Sequence, residues 1–196
     1  MACRFAGAND YHTYWKNLKN SIDSISAITE DRWDWKKYYS AEFDTPNKSI
    51  SKWAGLIDEV YAFDPSFFGI SPREALNMDP QQRMLLQEAW HCLEDAGVTL
   101  PILQQKKTGV YVGAMSTDYR DRIAVSGQID SYAAIANSEG VLANRISYFM
   151  GLEGLSKTID TACSSSFVAI YDAAQNLLLR QEQYAFVAGV NLINHP

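Results

Sequence analysis

Leu155-Ser156-Lys157-Thr158-Ile159-Asp160-Thr161-Ala162-Cys163-Ser164-Ser165-Ser166 carries the decisive reading of this chain. Leu155 to Thr161 reads as a short strand. A helix is expected from about Ser165 to Arg180, with Val168, Tyr171 and Leu178 on its apolar face. A strand that hands the chain straight to a helix puts Cys163 at the helix's N-terminal end. Unpaired backbone N–H groups and the positive end of the helix dipole gather there. Both favour thiolate over thiol, and the thiolate is the nucleophile. The same N–H groups can stabilise an oxyanion formed during acyl transfer. Ala162, Ser164 and Ser165 are small enough to let a substrate arm approach. The arrangement is analogous to the nucleophile elbow of hydrolases, without that motif's glycines. Read by itself, a lone cysteine among small residues is more often a buried apolar filler than a nucleophile.

Outward from this segment, strands and helices alternate, which argues an α/β fold. Thr108 to Ala114 reads as a buried strand between glycines. Tyr184 to Ile193 reads as a continuous apolar strand of the parallel kind, covered on both faces. The best helix signal is Asp79 to Ala96: Asp79 caps it, Pro80 opens it and Gly97 stands just past its end. Its apolar stripe is Met84, Leu85, Trp90 and Leu93. A short helix from Tyr11 to Asn20 follows Asp10 as cap, with Tyr11, Tyr14, Trp15 and Leu18 at helical spacing. Residues 137–149 also look helical. Residues 21–60 are aromatic-rich and irregular, with Trp33, Trp35, Tyr38, Tyr39 and Trp53. They read as a packed loop region, long enough to suggest that it covers something.

The composition is that of a globular domain: of 196 residues, 47% are hydrophobic and 20% charged, with a net charge of −6. A chain of this size defaults to one domain. The acidic balance, with no Lys/Arg cluster, argues against nucleic acid and anionic membrane as partners. Three cysteines, Cys3, Cys92 and Cys163, make an odd count with no framework spacing. There is no leader pattern and no apolar run long enough to span a bilayer. A cytoplasmic, reduced protein with free thiols is expected. No pair of Cys, His, Asp or Glu shows metal-ligand spacing.

Asp160-Thr-Ala-Cys163-Ser-Ser-Ser166 resembles the nucleophile signature of β-ketoacyl synthases (ketosynthases) of modular polyketide synthases. Five further motifs follow the family's order. They are Met1 to Ala8, with Ala6 where proline is usual, and Phe63-Asp-Pro65 with Phe67 to Glu74. Next come Met78-Asp-Pro-Gln-Gln-Arg83, Leu142 to Phe149, and Gly154 to Asp160 with Leu155 where proline is common. The resemblance covers the whole chain. The segments 32–35, 51–53 and 190–196 resemble assembly lines served by a free-standing acyltransferase.

This resemblance implies a layered, thiolase-like α/β fold, of which the chain is the amino-terminal half, truncated at both ends. It implies that Cys163 accepts an acyl chain from the 4'-phosphopantetheine arm of an acyl carrier protein. Decarboxylative Claisen condensation with a malonyl-carrier follows, and the backbone N–H of Cys163 supplies one oxyanion donor. No cofactor is bound directly. The expected partners are the carrier protein, a second copy in a homodimer paired through the strand before Cys163, and the carboxy-terminal ketosynthase half. The family's two catalytic histidine motifs belong to that second half, and neither is present here.

The chain's own histidines do not replace them. His12 reads as solvated, His91 as a satisfied structural residue, and His195 as part of a loop. Cys3 and Cys92 read as small core residues. Two rival functions stay open: a non-catalytic remnant that contributes only fold and dimer surface, and a cysteine hydrolase. The hydrolase would need a nearby base, for which the chain offers no good candidate.

Overall fold

The structure is a computed structural model and describes residues 1–116, 118–126 and 133–196. In chain order the elements are α1 (Tyr11–Lys19), β1 (Ser26–Ala27), a 3-10 turn (Trp35–Lys37), β2 (Trp53–Ala54) and α2 (Pro72–Asn77). Next come α3 (Pro80–Ala96), α4 (Leu100–Gln104), β3 (Thr108–Gly113), α5 (Asp118–Ser126) and α6 (Ala133–Ala136). The last are α7 (Val141–Met150), β4 (Ser156–Ile159), α8 (Ser165–Leu178) and β5 (Tyr184–Gly189).

β3, β4 and β5 form a parallel sheet in the order β4-β3-β5, with Val110 opposite Ser156 on one side and Phe186 on the other. A central parallel strand must be covered on both faces, and every residue of β3 is buried. Successive side chains of a strand point to opposite faces. Val110 and Val112 join Leu86, Ala89, Leu142 and Ile146 in a cluster with α3 and α7. Tyr111 turns the other way, onto Ala169 and Ala173 of α8. Burial of each large aliphatic in the first cluster contributes roughly 1.5–3 kcal/mol. The molecule is therefore layered helix–sheet–helix, as the alternation predicts.

The ends of α3 are those predicted. The Asp79 Oδ1 accepts from Gln81 N at 2.8 Å, Pro80 is the first helical residue, and Gly97 closes the helix at φ +61°. Met84, Leu85 and Leu93 are buried as predicted. α1 is capped by Asp10, which accepts from Thr13 N, but none of its residues is buried. The 21–60 region holds one two-residue antiparallel ladder, β1 with β2, and is mostly exposed rather than packed. α7 begins at Val141, four residues later than predicted, because the chain turns through Ser138 to Gly140 first.

Two expectations are corrected by the sheet. The predicted apolar face of α8 is not the buried one: Tyr171 is 62% and Leu178 75% exposed, while Ser165, Ala169 and Ala173 face the sheet. Only small residues fit there, because α8 rests directly on the strand backbone. β5 is parallel as predicted, but it ends at Gly189 and is half-buried to exposed along its length. It borders β3 alone, so its outer edge is uncovered among the described residues.

Candidate functional site

β4 and α8 are joined by a short turn, residues 160–164, which carries Cys163 at the C-terminal edge of the sheet. The turn is tied by its own side chains. Asp160 Oδ1 accepts from Ala162 N at 2.9 Å, and the Ser164 hydroxyl donates to Thr161 O at 2.7 Å. The Ser165 hydroxyl accepts from Thr161 N at 2.9 Å and donates to Ala162 O at 2.6 Å. Ala162 is held at φ +55°, a left-handed conformation that a residue with a Cβ rarely adopts. The result is a sharp turn with the thiol outward: Cys163 is exposed.

The helix that starts here is uncapped. Ser164 sits at the N-cap of α8 with helical φ −95° and ψ −1° rather than the extended backbone of a capping residue, and it makes no side-chain cap bond to the first turn. The Ser165 N–H donates to Ala162 O at 3.1 Å, which leaves the N–H groups of Ser166 and Phe167 in the first turn for an anion beside Cys163. The helix N-terminus is pressed onto the sheet. An added Cβ at Gly113 would lie 2.6 Å from Ser166 N, and one at Gly189 would lie 2.2 Å from Ser166 Oγ. The two glycines, one on β3 and one on β5, let α8 sit that deep.

The other predicted residues fall elsewhere. Cys3 and Cys92 are half-buried rather than core. Burial pushes the Cys3 thiol up, and the Glu88 and Asp10 carboxylates add to this. His12 is exposed, with its ring tilted against that of Tyr11. His91 is exposed, with its Nδ1 3.5 Å from Glu88 Oε1, so it is a surface residue rather than a structural one. His195 follows β5 in a loop, as expected, with its ring near Tyr38 and the Pro196 carbonyl. Among the described residues there is no cluster of three or more His, Cys, Asp or Glu that could hold a metal ion. No helix among them is long and apolar enough to cross a membrane.

Sequence reasoning missed the polar ties that fix the loop after β5. Gln81 Oε1 accepts from Leu192 N at 3.3 Å. The Asp118 carboxylate accepts from Asn194 N at 2.6 Å, Asn194 Nδ2 at 3.0 Å and His195 N at 3.2 Å. It also missed Glu182, which is buried and accepts from the Tyr111 hydroxyl at 2.6 Å and from Leu155 N at 2.7 Å. Burial and that carboxylate push the Tyr111 hydroxyl well up. Periodicity carries no signal for such long-range pairs.

A parallel sheet flanked by helices, with an exposed cysteine on a strained strand-to-helix turn, defines a protein of the thiolase-like α/β class. The chain belongs to the β-ketoacyl synthase family, whose N-terminal domain matches residues 1–196. It is 43% identical to the polyketide synthase ThaG of Burkholderia thailandensis and 43% identical to PksN of Bacillus subtilis. In each case all of the chain and 4% of the relative are covered. It is 41% identical to a phenolphthiocerol/phthiocerol polyketide synthase chain of Mycobacterium tuberculosis, over all of this chain and 13% of that one. An oxazolomycin ketosynthase domain from Streptomyces albus superposes with a TM-score of 0.91 at 37% identity, over 98% of this chain and 34% of that one. The ketosynthase of module 6 of the Bacillus subtilis bacillaene synthase gives 0.83 at 39%, over 98% and 31%. The chain thus spans about a third of these solved domains and a small fraction of the curated relatives.

Proposed function

We propose that the chain is the amino-terminal part of a condensing ketosynthase domain in polyketide synthesis, and that Cys163 is its acyl-carrying nucleophile. One observation carries this reading. In a family whose solved relatives are ketosynthase domains, Cys163 is exposed on a strained turn at the uncapped N-terminus of α8. The Cys163 thiolate adds to the thioester carbonyl of an acyl chain on the phosphopantetheine arm of an acyl carrier protein. The C–S bond to the arm breaks, the arm's thiolate takes up a proton, and the acyl group stays on Cys163. A carrier-bound malonyl unit then loses carbon dioxide. Its enolate carbon attacks the Cys163 thioester and Cys163 leaves as thiolate, giving a β-ketoacyl chain two carbons longer.

Enolate charge needs preorganised donors, and the contacts of His12, His91 and His195 are with Tyr11, Glu88, Tyr38 and Pro196 rather than with the turn. Condensation therefore requires a carboxy-terminal ketosynthase half that brings the family's two histidine motifs. The share of each solved domain that the chain spans leaves room for such a half. A homodimer paired through the outer edge of β4 completes the assembly, because among the described residues β4 borders β3 alone and an unpaired edge invites a partner strand. A free-standing acyltransferase would load the malonyl unit.

The test is acylation. Acyl-loaded carrier protein is added to the chain and the adduct is located by peptide mass spectrometry. Acyl mass on Cys163, lost on Cys163→Ala, is expected, and acylation at another residue overturns the assignment. Malonyl-carrier is then added with and without a polypeptide bearing the histidine motifs. β-Ketoacyl product is expected only in the mixture. Product from the chain by itself would place the base within residues 1–196, with His195 the first to mutate.

A further inference from the structure

The side chain that fixes the turn is not the cysteine. Ser165, the first residue of α8, is 4% exposed, and its hydroxyl bonds at both ends. It accepts from Thr161 N at 2.9 Å and donates to Ala162 O at 2.6 Å. Its own backbone N–H donates to the same Ala162 oxygen at 3.1 Å. Three bonds from one residue thus grip the two residues that precede Cys163.

That grip sits where the chain is least willing to stay. Ala162 is at φ +55°, and such a conformation persists only where its surroundings over-determine it. The anchor itself cannot move. The carbonyl carbon and oxygen of Ser165 would lie 2.7 and 2.9 Å from a Cβ on Gly113, so Ser165 is seated against the β3 backbone. Rigidity passes from the buried sheet through Ser165 to the turn and so to the thiol. With the Ser165 N–H engaged by Ala162 O, the N–H groups of Ser166 and Phe167 are those left in the first turn of α8 to meet an oxyanion.

We propose that Ser165 is a positioning residue for Cys163, holding the left-handed Ala162 turn so that the thiol and the α8 N–H groups address the same carbonyl. The proposal rests on Cys163 being the acyl-carrying nucleophile. Acyl transfer requires both attack and oxyanion stabilisation, and a small displacement of the turn separates the two. Alkylation of the thiol by iodoacetamide has no oxyanion and requires only exposure. A loosened turn should therefore harm the first reaction and spare the second, whereas partial unfolding would change both.

The experiment compares the chain with Ser165→Ala, Ala162→Gly and the double variant, each checked by circular dichroism. Two rates at Cys163 are followed by mass spectrometry: acylation by an acyl N-acetylcysteamine thioester, and alkylation by iodoacetamide. Ser165→Ala should slow acylation at least about tenfold with alkylation changed less than about twofold. Glycine accepts positive φ without strain, so the same Ser165→Ala change should cost much less in the Ala162→Gly background. That background also carries the comparison if Ser165→Ala by itself does not fold. Equal losses in both reactions, or an equal loss with and without Ala162→Gly, would overturn the positioning role. Acylation of the unsubstituted chain at a residue other than Cys163 would instead overturn the nucleophile assignment, which separates the two failures.

Discussion

A Cβ on Gly113 would stand 2.6 Å from the backbone nitrogen of Ser166, so β3 and α8 meet backbone to backbone beside the turn that carries Cys163. No side chain can stand between them. Gly113→Ala must lift α8 off the sheet, and an overpacked contact of this kind costs about 1–3 kcal/mol. Gly189→Ala should cost less, because its nearest neighbour is the Ser166 hydroxyl, which can swing aside. Thermal unfolding gives the ranking. Equal midpoints for Gly113→Ala and the unsubstituted chain would mean that the helix is free to shift.

Reactivity should separate the three cysteines. Cys163 is exposed, whereas Cys3 and Cys92 are half-buried. The Cys3 thiol is pushed up by burial and by the carboxylates of Glu88 and Asp10, which leaves less thiolate at neutral pH. A limiting dose of iodoacetamide followed by peptide mapping should find most of the label on Cys163. Even labelling of all three would contradict the geometry, as would unchanged total labelling after Cys163→Ala.

What could be read in advance was whatever local chemistry fixes. Asp79, Pro80 and Gly97 gave the ends of α3 because caps and a left-handed stop act within a few residues. The Cys163 turn was legible for the same reason. The burial of α8 was misjudged because large apolar residues are not always the ones that face a sheet. Ala169 and Ala173 face it, since Gly113 brings the backbones too close for anything larger. The aromatic and aliphatic residues of α8 that looked like core, Tyr171 and Leu178, are exposed. Glu182 and Asp118 were invisible to pattern, because each acts on residues far away in the sequence.

Glu182 should prove a structural clamp. Its carboxylate, buried near the start of β5, joins β3 through the Tyr111 hydroxyl and the entry to β4 through Leu155 N. Glu182→Ala strands one buried donor, the Tyr111 hydroxyl, and one part-buried donor, Leu155 N, and should lower stability by about 1–3 kcal/mol. Tyr111→Phe removes one donor along with its demand and should cost less. Urea unfolding distinguishes them. An Ala variant as stable as the unsubstituted chain would show that water replaces the carboxylate without penalty.

The buried Asp79 predicts a pH dependence of unusual sign. Its carboxyl is pushed up to about 6, first by burial and further by the nearby Asp118, against the opposing pull of Gln81 N–H and Arg83. An unfolded chain returns it to an ordinary carboxylate value near 4. Between these values the folded protein holds a proton that the unfolded chain has released, so stability rises as pH falls from about 6 to about 4. Above about 6 the cost of the buried charge is fully present and amounts to at most about 3 kcal/mol. Asp79→Asn keeps an oxygen that can accept from Gln81 N but carries no charge. It should be neutral to stabilising at pH 7.5, and it should remove this contribution to the slope between pH 4 and pH 6. Urea midpoints for both proteins at half-unit steps of pH measure the difference directly. Parallel curves for the two would show that Asp79 keeps an ordinary value in the folded chain. A variant destabilised equally at every pH would show that its charge is needed to hold the start of α3.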